Sequence, residues 1–404
     1  MPEEYPCAVP YDPETRKEWL VPRFSLEEYG ERLSGARERF AEENLDALLI
    51  AGSGSHQANI GYLSNYFPHF GTSFLLVPES GEPTLITNGI LHGEPMHSML
   101  WNVIFDDLRP ASQSGDSPPG TVVDLTAEVV RERGLDRGRI GVDSLATLSY
   151  ADGSALMAAL PDVEWADGTA VLRHLRSIKS EQEIAYLREA CRITLVALET
   201  GAAACRPGMT ERHVADIIHS TMMDLGSETI GFDTAVSSGP RAGLKHADPT
   251  ERSLESGDMV FLDAGAVIGG YHADLSRTLA VGAPDSDAQS MLDASVEMFR
   301  ACLQVIRPGA KVSDIYRAAE RTARRAGLIG DYMPNGLGHG VGSELFEHPF
   351  LGPADPTVLE PGMVFALEPM LVRYGLGTAV VEETVLVTAE GYELLSGADW
   401  SVAD

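Results

Sequence analysis

"FLDAGAVIGGYHADLSRT", residues 261–278, sets two aspartates, Asp263 and Asp274, on either side of a glycine pair. Phe261 and Leu262 before the first acid, and Val267 and Ile268 before Gly269-Gly270, read as one strand; Tyr271 to Thr278 reads as the strand that returns. If the turn centres near Gly269, Asp263 stands opposite Asp274. If it centres on the glycine pair, the two acids are diagonal neighbours on one face. Either register brings the carboxylates together. At about 5 Å they repel unless a proton or a cation lies between them, so the rest of the chain is read for further ligands.

Three more stretches carry candidates: "NGLGHGVG" around His339, "ALEPM" around Glu368, and "VVEETV" around Glu382 and Glu383. Each has an ordinary reading alone, since an aspartate pair suits a solvated sheet edge and a histidine between glycines suits a turn. Glu368 is the odd one. Inside "MVFALEPML" a carboxylate is expected to be buried among apolar residues, which is costly unless it is paired or on a metal. Alternation sends Glu382 and Glu383 to opposite faces, so only one of them reaches a shared site. Four carboxylates and a neutral imidazole carry a charge of about −4, which two divalent cations would neutralise. One nitrogen among oxygens suits two divalent transition metal ions, Mn(II), Co(II), Fe(II) or Zn(II), better than calcium.

Composition narrows the class. The chain has 404 residues, 44% of them hydrophobic, enough for a large core in two or three domains. A formal net charge of −30 argues against nucleic acid or an anionic membrane as a partner. "MPEEYPCAVPYDPETRKEWL" has no basic segment followed by an apolar run, and no stretch reaches the length of a membrane span, so a soluble, cytoplasmic protein is expected. Cys7, Cys191, Cys205 and Cys302 lie far apart without CxxC spacing, which indicates neither a zinc knuckle nor a disulfide framework.

The first half alternates helix and strand. "SLEEYGERLSGARERFAEENL" has helical periodicity with Ser25 as N-cap; "DALLIAG", "TSFLLVP", "EPTLITN" and "RIGVDS" read as strands, and "VVDLTAEVVRERGL" as a helix. "SQSGDSPPG", residues 112–120, is a loop by composition. Ser180 with Glu183 three residues on forms a capping box that opens a long helix of the second domain. An α/β domain over residues 1–170 and an α+β domain over 171–404 are expected.

The order of motifs resembles the creatinase/prolidase/methionine aminopeptidase superfamily, most closely its Xaa-Pro dipeptidase and Xaa-Pro aminopeptidase branch. "SSGPRAGLKHADP", "FLDAGAVIGGYHADLSRT", "GLGHGVGSELFEHP", "VLEPGMVFALEPM" and "VVEETVLVTAEGYE" carry the resemblance, with "GARERFAEENLDALLIAG" and "NIGYLSNY" in the front half. It implies a creatinase-like α/β N-terminal domain and a pita-bread C-terminal domain around a dinuclear site. By position the implied metal ligands are Asp263, Asp274, His339, Glu368 and Glu382. In such peptidases a metal-bridging hydroxide attacks an amide carbonyl, and Glu368 would relay the proton to the leaving nitrogen. His246 matches the family's motif histidine on the strand before the first aspartate, which contacts substrate or the developing oxyanion. The resemblance also implies a homodimer acting on a small peptide or small-molecule amide substrate. Arg241 in "SGPRAG" suits a substrate carboxylate or a solvated loop equally.

Two positions depart from the pattern. The second histidine of "HGxGxxxHExP" is Phe346 here, and the arginine two residues before the last ligand is Val380. Each lost donor removes a group worth roughly 3 kcal/mol in comparable sites. His272, expected on the face of Asp274, and His348 are candidates to compensate. The departures keep open a non-peptidase of the same scaffold: a creatinase-like or ectoine hydrolase-like C–N hydrolase, or a dimethylsulfoniopropionate-lyase-like enzyme. The intact ligand set argues against creatinase, which works without metals. Ala264 and Gly265 argue against the lyase, and the ligand set also argues against a catalytically silent binding protein.

Overall fold

Ala47–Gly52, "ALLIAG", is apolar throughout and forms a strand buried on both faces. Leu48 and Ile50 point into one cluster with Phe40, Leu75, Val77 and Leu85, while Ala47, Leu49 and Ala51 point into another with Phe74, Leu76 and Ile86. Side chains that alternate across a strand need a covering layer on each side, and helices supply it. The computed structural model describes residues 17–18, 20–69, 71–88, 102–111, 121–143, 148–244 and 246–398. The expected loop at 112–120 lies outside them.

In the first unit the elements run α1 (Leu26–Glu43), β1 (Ala47–Gly52), α2 (Ala58–Ser64), β2 (Ser73–Pro78), β3 (Thr84–Asn88) and β4 (Leu108–Ala111). There follow α3 (Thr121–Glu132), β5 (Arg139–Asp143), α4 (Tyr150–Ala159), β6 (Glu164–Asp167) and α5 (Thr169–Ser177). The Ser25 hydroxyl caps α1 by accepting from the amide of Glu28 at 3.1 Å. The strands form one mixed sheet in the order β4-β3-β2-β1-β5-β6. Compact units divide between Leu175 and Arg176, a little beyond the expected 170/171 boundary. The reason is local: Val171 and Leu172 on α5 are buried in the first unit's core.

The second unit opens as the capping box requires. The Ser180 hydroxyl accepts from the Glu183 amide, and the Glu183 carboxylate accepts from the Ser180 amide, at the start of α6 (Glu181–Ala204). Next come α7 (Glu211–Asp224), β7 (Ala235–Ser238), a 3-10 turn (Gly239–Gly243), β8 (Met259–Ala264), β9 (Val267–Ile268), β10 (Tyr271–His272) and β11 (Leu275–Ala280). After these are α8 (Ser286–Leu303), α9 (Val312–Arg325), β12 (Gly338–Gly340), β13 (Glu347–Phe350) and β14 (Val364–Leu367). The unit closes with β15 (Met370–Arg373), β16 (Gly377–Val380), β17 (Glu383–Val387) and β18 (Tyr392–Leu394). Strands β11-β8-β7 form one sheet and β13-β12-β14-β17-β18 another. Apolar faces of α8 and α9, through Met298, Phe299, Ile315 and Ala319, cover the second sheet at Phe365, Leu367 and Val385.

Three apolar stretches each fold as two strands rather than one. "DMVFLDAGAVI" breaks at Gly265-Ala266 into β8 and β9, "MVFALEPML" breaks at Glu368-Pro369 into β14 and β15, and "AVVEETVLVT" breaks at Val381-Glu382 into β16 and β17. Glu368 and Glu382 lie at two of these breaks, where the chain leaves the ladder and the side chain can face a shared space, whereas Asp263 stays paired within β8 just before the third.

Candidate metal centre

Gly269 and Gly270 both adopt positive φ, 59° and 77°, as a two-residue hairpin turn requires. Tyr271 therefore pairs with Ile268, and on the longer strands Ser276 pairs with Asp263. Of the two registers open in the sequence, the fold takes the one centred on the glycine pair, and Asp274 is a diagonal neighbour of Asp263. The hairpin tip is held by Glu228, whose two carboxylate oxygens accept the amides of Gly269 and Gly270 at 2.8 and 3.2 Å.

The two sheets meet along one seam. Arg277 bridges to Val381, the Glu382 amide donates to the Ser276 carbonyl at 3.1 Å, and the Thr384 hydroxyl donates to the Asp274 carbonyl at 3.1 Å. This stitching sets Asp263, Asp274 and Glu382 together, all buried, with one carboxylate oxygen from each within 4.8 Å of the others. Glu383 turns the other way. It is fully buried, and its carboxylate accepts from the Arg277 guanidinium and from the Ser396 hydroxyl.

His339 sits mid-strand on β12, paired with Ala366 on one side and Phe350 on the other. Its flanking glycines are needed there, because a Cβ on Gly338 would strike the Ala366 carbonyl and one on Gly340 would strike that of His348. His339 Nδ1 lies 2.9 Å from the Gly340 carbonyl oxygen, and its Nε2 lies 3.3 Å from Asp274 Oδ2. A carbonyl only accepts, so Nδ1 carries the proton and Nε2 turns a lone pair toward a carboxylate. Two acceptors at that distance need a proton or a cation between them, and a backbone-anchored Nδ1–H is the usual arrangement of a metal-ligating histidine.

The electrostatics point the same way. Burial first, and then the charges of Asp274, Glu368 and Asp263, push the Glu382 carboxyl well above the ordinary glutamate range. For His339 burial disfavours the charged ring, but hydrogen bonding and attraction to Asp274 outweigh it and raise its pKa. Both shifts describe a site with too much negative charge for its solvation, which divalent cations relieve. The donor set of hard carboxylates and one imidazole fits such ions.

These residues line a cleft of about 430 Å³, together with Glu368, His246, Asp233, Asp248, Phe232, Leu345, Phe346 and Phe350. Glu368 is half-buried at the β14–β15 break rather than enclosed among apolar side chains as expected, because the chain turns at Pro369 and presents it to the cleft. His246 is exposed and faces the cleft from a loop, with φ 62°, not from a strand; β7 ends at Ser238 and the 3-10 turn intervenes.

Other candidates lie outside the cleft lining. The His272 ring stands 3.2 Å from the Gly342 carbonyl, because Ala273 and Asp274 leave the ladder and break the strand alternation. His348 Nε2 is 3.2 Å from the Thr357 hydroxyl. Arg241 donates to Glu211 and to the Asp248 carbonyl, an internal brace rather than a free loop residue. Val380, which replaces the expected arginine, is 1% exposed in an apolar cluster with Ala235, Ala242, Phe261 and Met370. Sequence reading missed the buried ion cluster of Glu347 with Arg176 at 2.5 Å and Lys179 at 3.0 Å. No local pattern joins residues that far apart in the chain.

Residues 185–389 match the description "Metallopeptidase family M24", and residues 32–178 match "Creatinase/Prolidase N-terminal domain". Among solved structures, an Xaa-Pro dipeptidase from Bacillus anthracis is 27% identical with a TM-score of 0.80, over 92% of this chain and 98% of that one. Dipeptidase PepE from Mycobacterium ulcerans is 26% identical with a TM-score of 0.81, over 94% and 98%. The second unit thus has the pita-bread fold. An uncharacterized peptidase of Staphylococcus aureus (strain bovine RF122) is 34% identical over 224 residues, which are 55% of this chain and 64% of that protein's length. Half of the chain lies under one family description, and the cleft carboxylates fall inside that half: the chain belongs to metallopeptidase family M24.

Proposed function

We propose that this protein is a dinuclear metal-dependent hydrolase of the Xaa-Pro dipeptidase or Xaa-Pro aminopeptidase type. The observation that carries the reading is the convergence of Asp263, Asp274 and Glu382 within 4.8 Å, in one cleft with His339 and Glu368. These five side chains would hold two divalent ions, Mn, Co, Fe or Zn, which when bound polarise a carbonyl and acidify water. Glu368, half-buried at the cleft wall, is the group to carry a proton to the leaving nitrogen. His246 would meet the substrate carbonyl oxygen from its loop. Phe232, Leu345, Phe346 and Phe350 give the cleft an apolar wall, which suits a pyrrolidine ring or an apolar side chain and excludes water around it. The structural neighbours, an Xaa-Pro dipeptidase and a dipeptidase, support the same substrate class.

A second reading, a small-molecule amide hydrolase on the same scaffold, is favoured by one observation. Phe346 places a ring, not a hydrogen-bond donor, 4.4 Å from the His339 ring. A cytoplasmic homodimer is part of the same proposal; among the described residues no helix is long and apolar enough to cross a membrane. Mn(II)-, Co(II)- and Zn(II)-loaded protein, screened against Xaa-Pro dipeptides, longer Xaa-Pro peptides and small N-substituted amino acids, separates the readings. Asp263→Asn should lose at least one metal and most turnover. Full activity in chelator would refute the site, and a folded, metal-loaded protein inert on every Xaa-Pro peptide would favour the small molecule.

A further inference from the structure

Glu211, the first residue of α7, is fully buried, and nothing in the hydrolytic reading uses it. One of its oxygens, Oε1, accepts from the Ser238 amide at 2.8 Å and the Ser238 hydroxyl at 2.7 Å. The other, Oε2, accepts from Arg241 Nε at 3.3 Å, the Thr250 amide at 3.0 Å and the Thr250 hydroxyl at 2.6 Å. A buried carboxylate whose two oxygens accept this many hydrogen bonds holds its donors in fixed directions.

The donors are not scattered. Ser238 ends β7 and Thr250 lies where the chain returns beside α7, with the Arg212 amide donating to the Thr250 carbonyl at 3.0 Å. Between them runs the segment that presents His246, Ala247, Asp248 and Pro249 to the cleft. Arg241 ties that segment to itself as well, donating from Nη2 to the Asp248 carbonyl at 2.8 Å. His246 has φ 62°, a left-handed conformation uncommon for a residue with a Cβ and kept only where the surroundings hold it.

We infer that Glu211 is a positioning residue, which pins both ends of the 238–250 segment on one carboxylate and so fixes where His246 stands in the cleft. Glu211 is not among the residues that line the cleft; it acts on them through the segment whose ends it holds. The inference rests on the hydrolase reading only for its effect on turnover.

The test uses the full chain loaded with Mn(II) and compares wild type, Glu211→Ala and Thr250→Val, the last removing one hydroxyl from the far end of the clamp. Hydrogen exchange over residues 238–250 should rise at least tenfold in Glu211→Ala, while peptides across β8 and bound Mn(II) per chain stay as in wild type. With an Ala-Pro dipeptide and an Xaa-Pro tripeptide, kcat/KM should fall roughly tenfold to a hundredfold, the loss expected when a reacting group is misplaced by about an ångström. Thr250→Val should show the same changes, smaller, and decides by the same criteria where Glu211→Ala does not fold. Unchanged exchange over the segment overturns the clamp, as does unchanged kcat/KM in a variant whose exchange has risen. If wild type hydrolyses neither peptide, the hydrolase reading fails separately and the exchange arm alone decides the clamp.

Discussion

The ring of Phe346 lies 4.4 Å from that of His339, centroid to centroid, with the planes tilted by 54°. Phe346 is 58% exposed, whereas Val380, the second place where a donor is expected, is 1% exposed. Substituting the two therefore has different outcomes. Phe346→His sets an imidazole on an open cleft wall, with stability within about 0.5 kcal/mol of wild type and Xaa-Pro hydrolysis equal or faster. Val380→Arg drives a guanidinium into an apolar cluster and should lower stability by about 3 kcal/mol. Thermal melts of both variants check this, and equal melting temperatures would count against the burial of Val380.

Glu382 and Glu383 are adjacent but face different surroundings, the cleft for Glu382 and the Arg277–Ser396 pair for Glu383. Glu382→Gln should lose bound metal and orders of magnitude in turnover. Glu383→Gln breaks a fully buried contact with Arg277 and Ser396, so it should lower stability by about 3 kcal/mol and keep its metal. Metal content and melting temperature, measured on both, separate the two glutamates; the reverse ranking would mean that the chain faces the cleft one residue out of register.

Metal removal should make stability fall with rising pH. Burial, then the neighbouring acids, raises Glu382 above the ordinary 4.5, and Asp274 raises His339 above 6.5 against the effect of burial. In both cases the folded chain holds its proton longer than the unfolded chain does. The stabilisation is full below the ordinary values and fades as pH climbs through the raised ones. In chelator the melting temperature should therefore drop from acid toward neutral pH, and added Mn(II) should restore more at neutral than at acid pH. Between about pH 5 and neutrality, above the range in which Glu347 titrates, a chelated protein that gains stability with rising pH would contradict the charge balance described for the site.

Glu347 titrates in the opposite sense. Burial would raise it, but Arg176 and Lys179 overcome that and hold its carboxyl down at about 2. Its folded value is depressed, so its contribution is present above the ordinary 4.5 and is lost as pH falls toward about 2. Glu347→Gln should lower stability at neutral pH by about 3 kcal/mol and flatten the acid limb of the stability curve. Melting from neutral to acid pH, with wild type beside the variant, reads both effects.

Local chemistry made several features legible from the residues alone. The Ser180–Glu183 capping box needs only residues three apart, and both of its arms form. The glycine pair needs only its freedom at positive φ, and it turns the hairpin. The apolar run of β1 forecasts burial on both faces, and both faces are covered. Glu368 and His246 are legible as candidates but not in their surroundings: Pro369 marks the break that turns Glu368 to the cleft, while the 3-10 turn that puts His246 on a loop depends on the packing around it.

The sequence by itself determined the hairpin that carries Asp263 and Asp274, the helix starts and the motif order that identifies the family, because these depend on neighbours a few residues apart. Only the tertiary structure decided which register the hairpin takes and what Glu383 meets on the face away from the cleft. It alone decided that Val380 lies in a core, and that Arg176 meets Glu347 across 171 positions of chain. Those outcomes follow from how two sheets meet at Ser276 and Glu382 and from which charges stay buried once they have met. Contacts of that kind exist only after the chain has closed, so no window of sequence carries them.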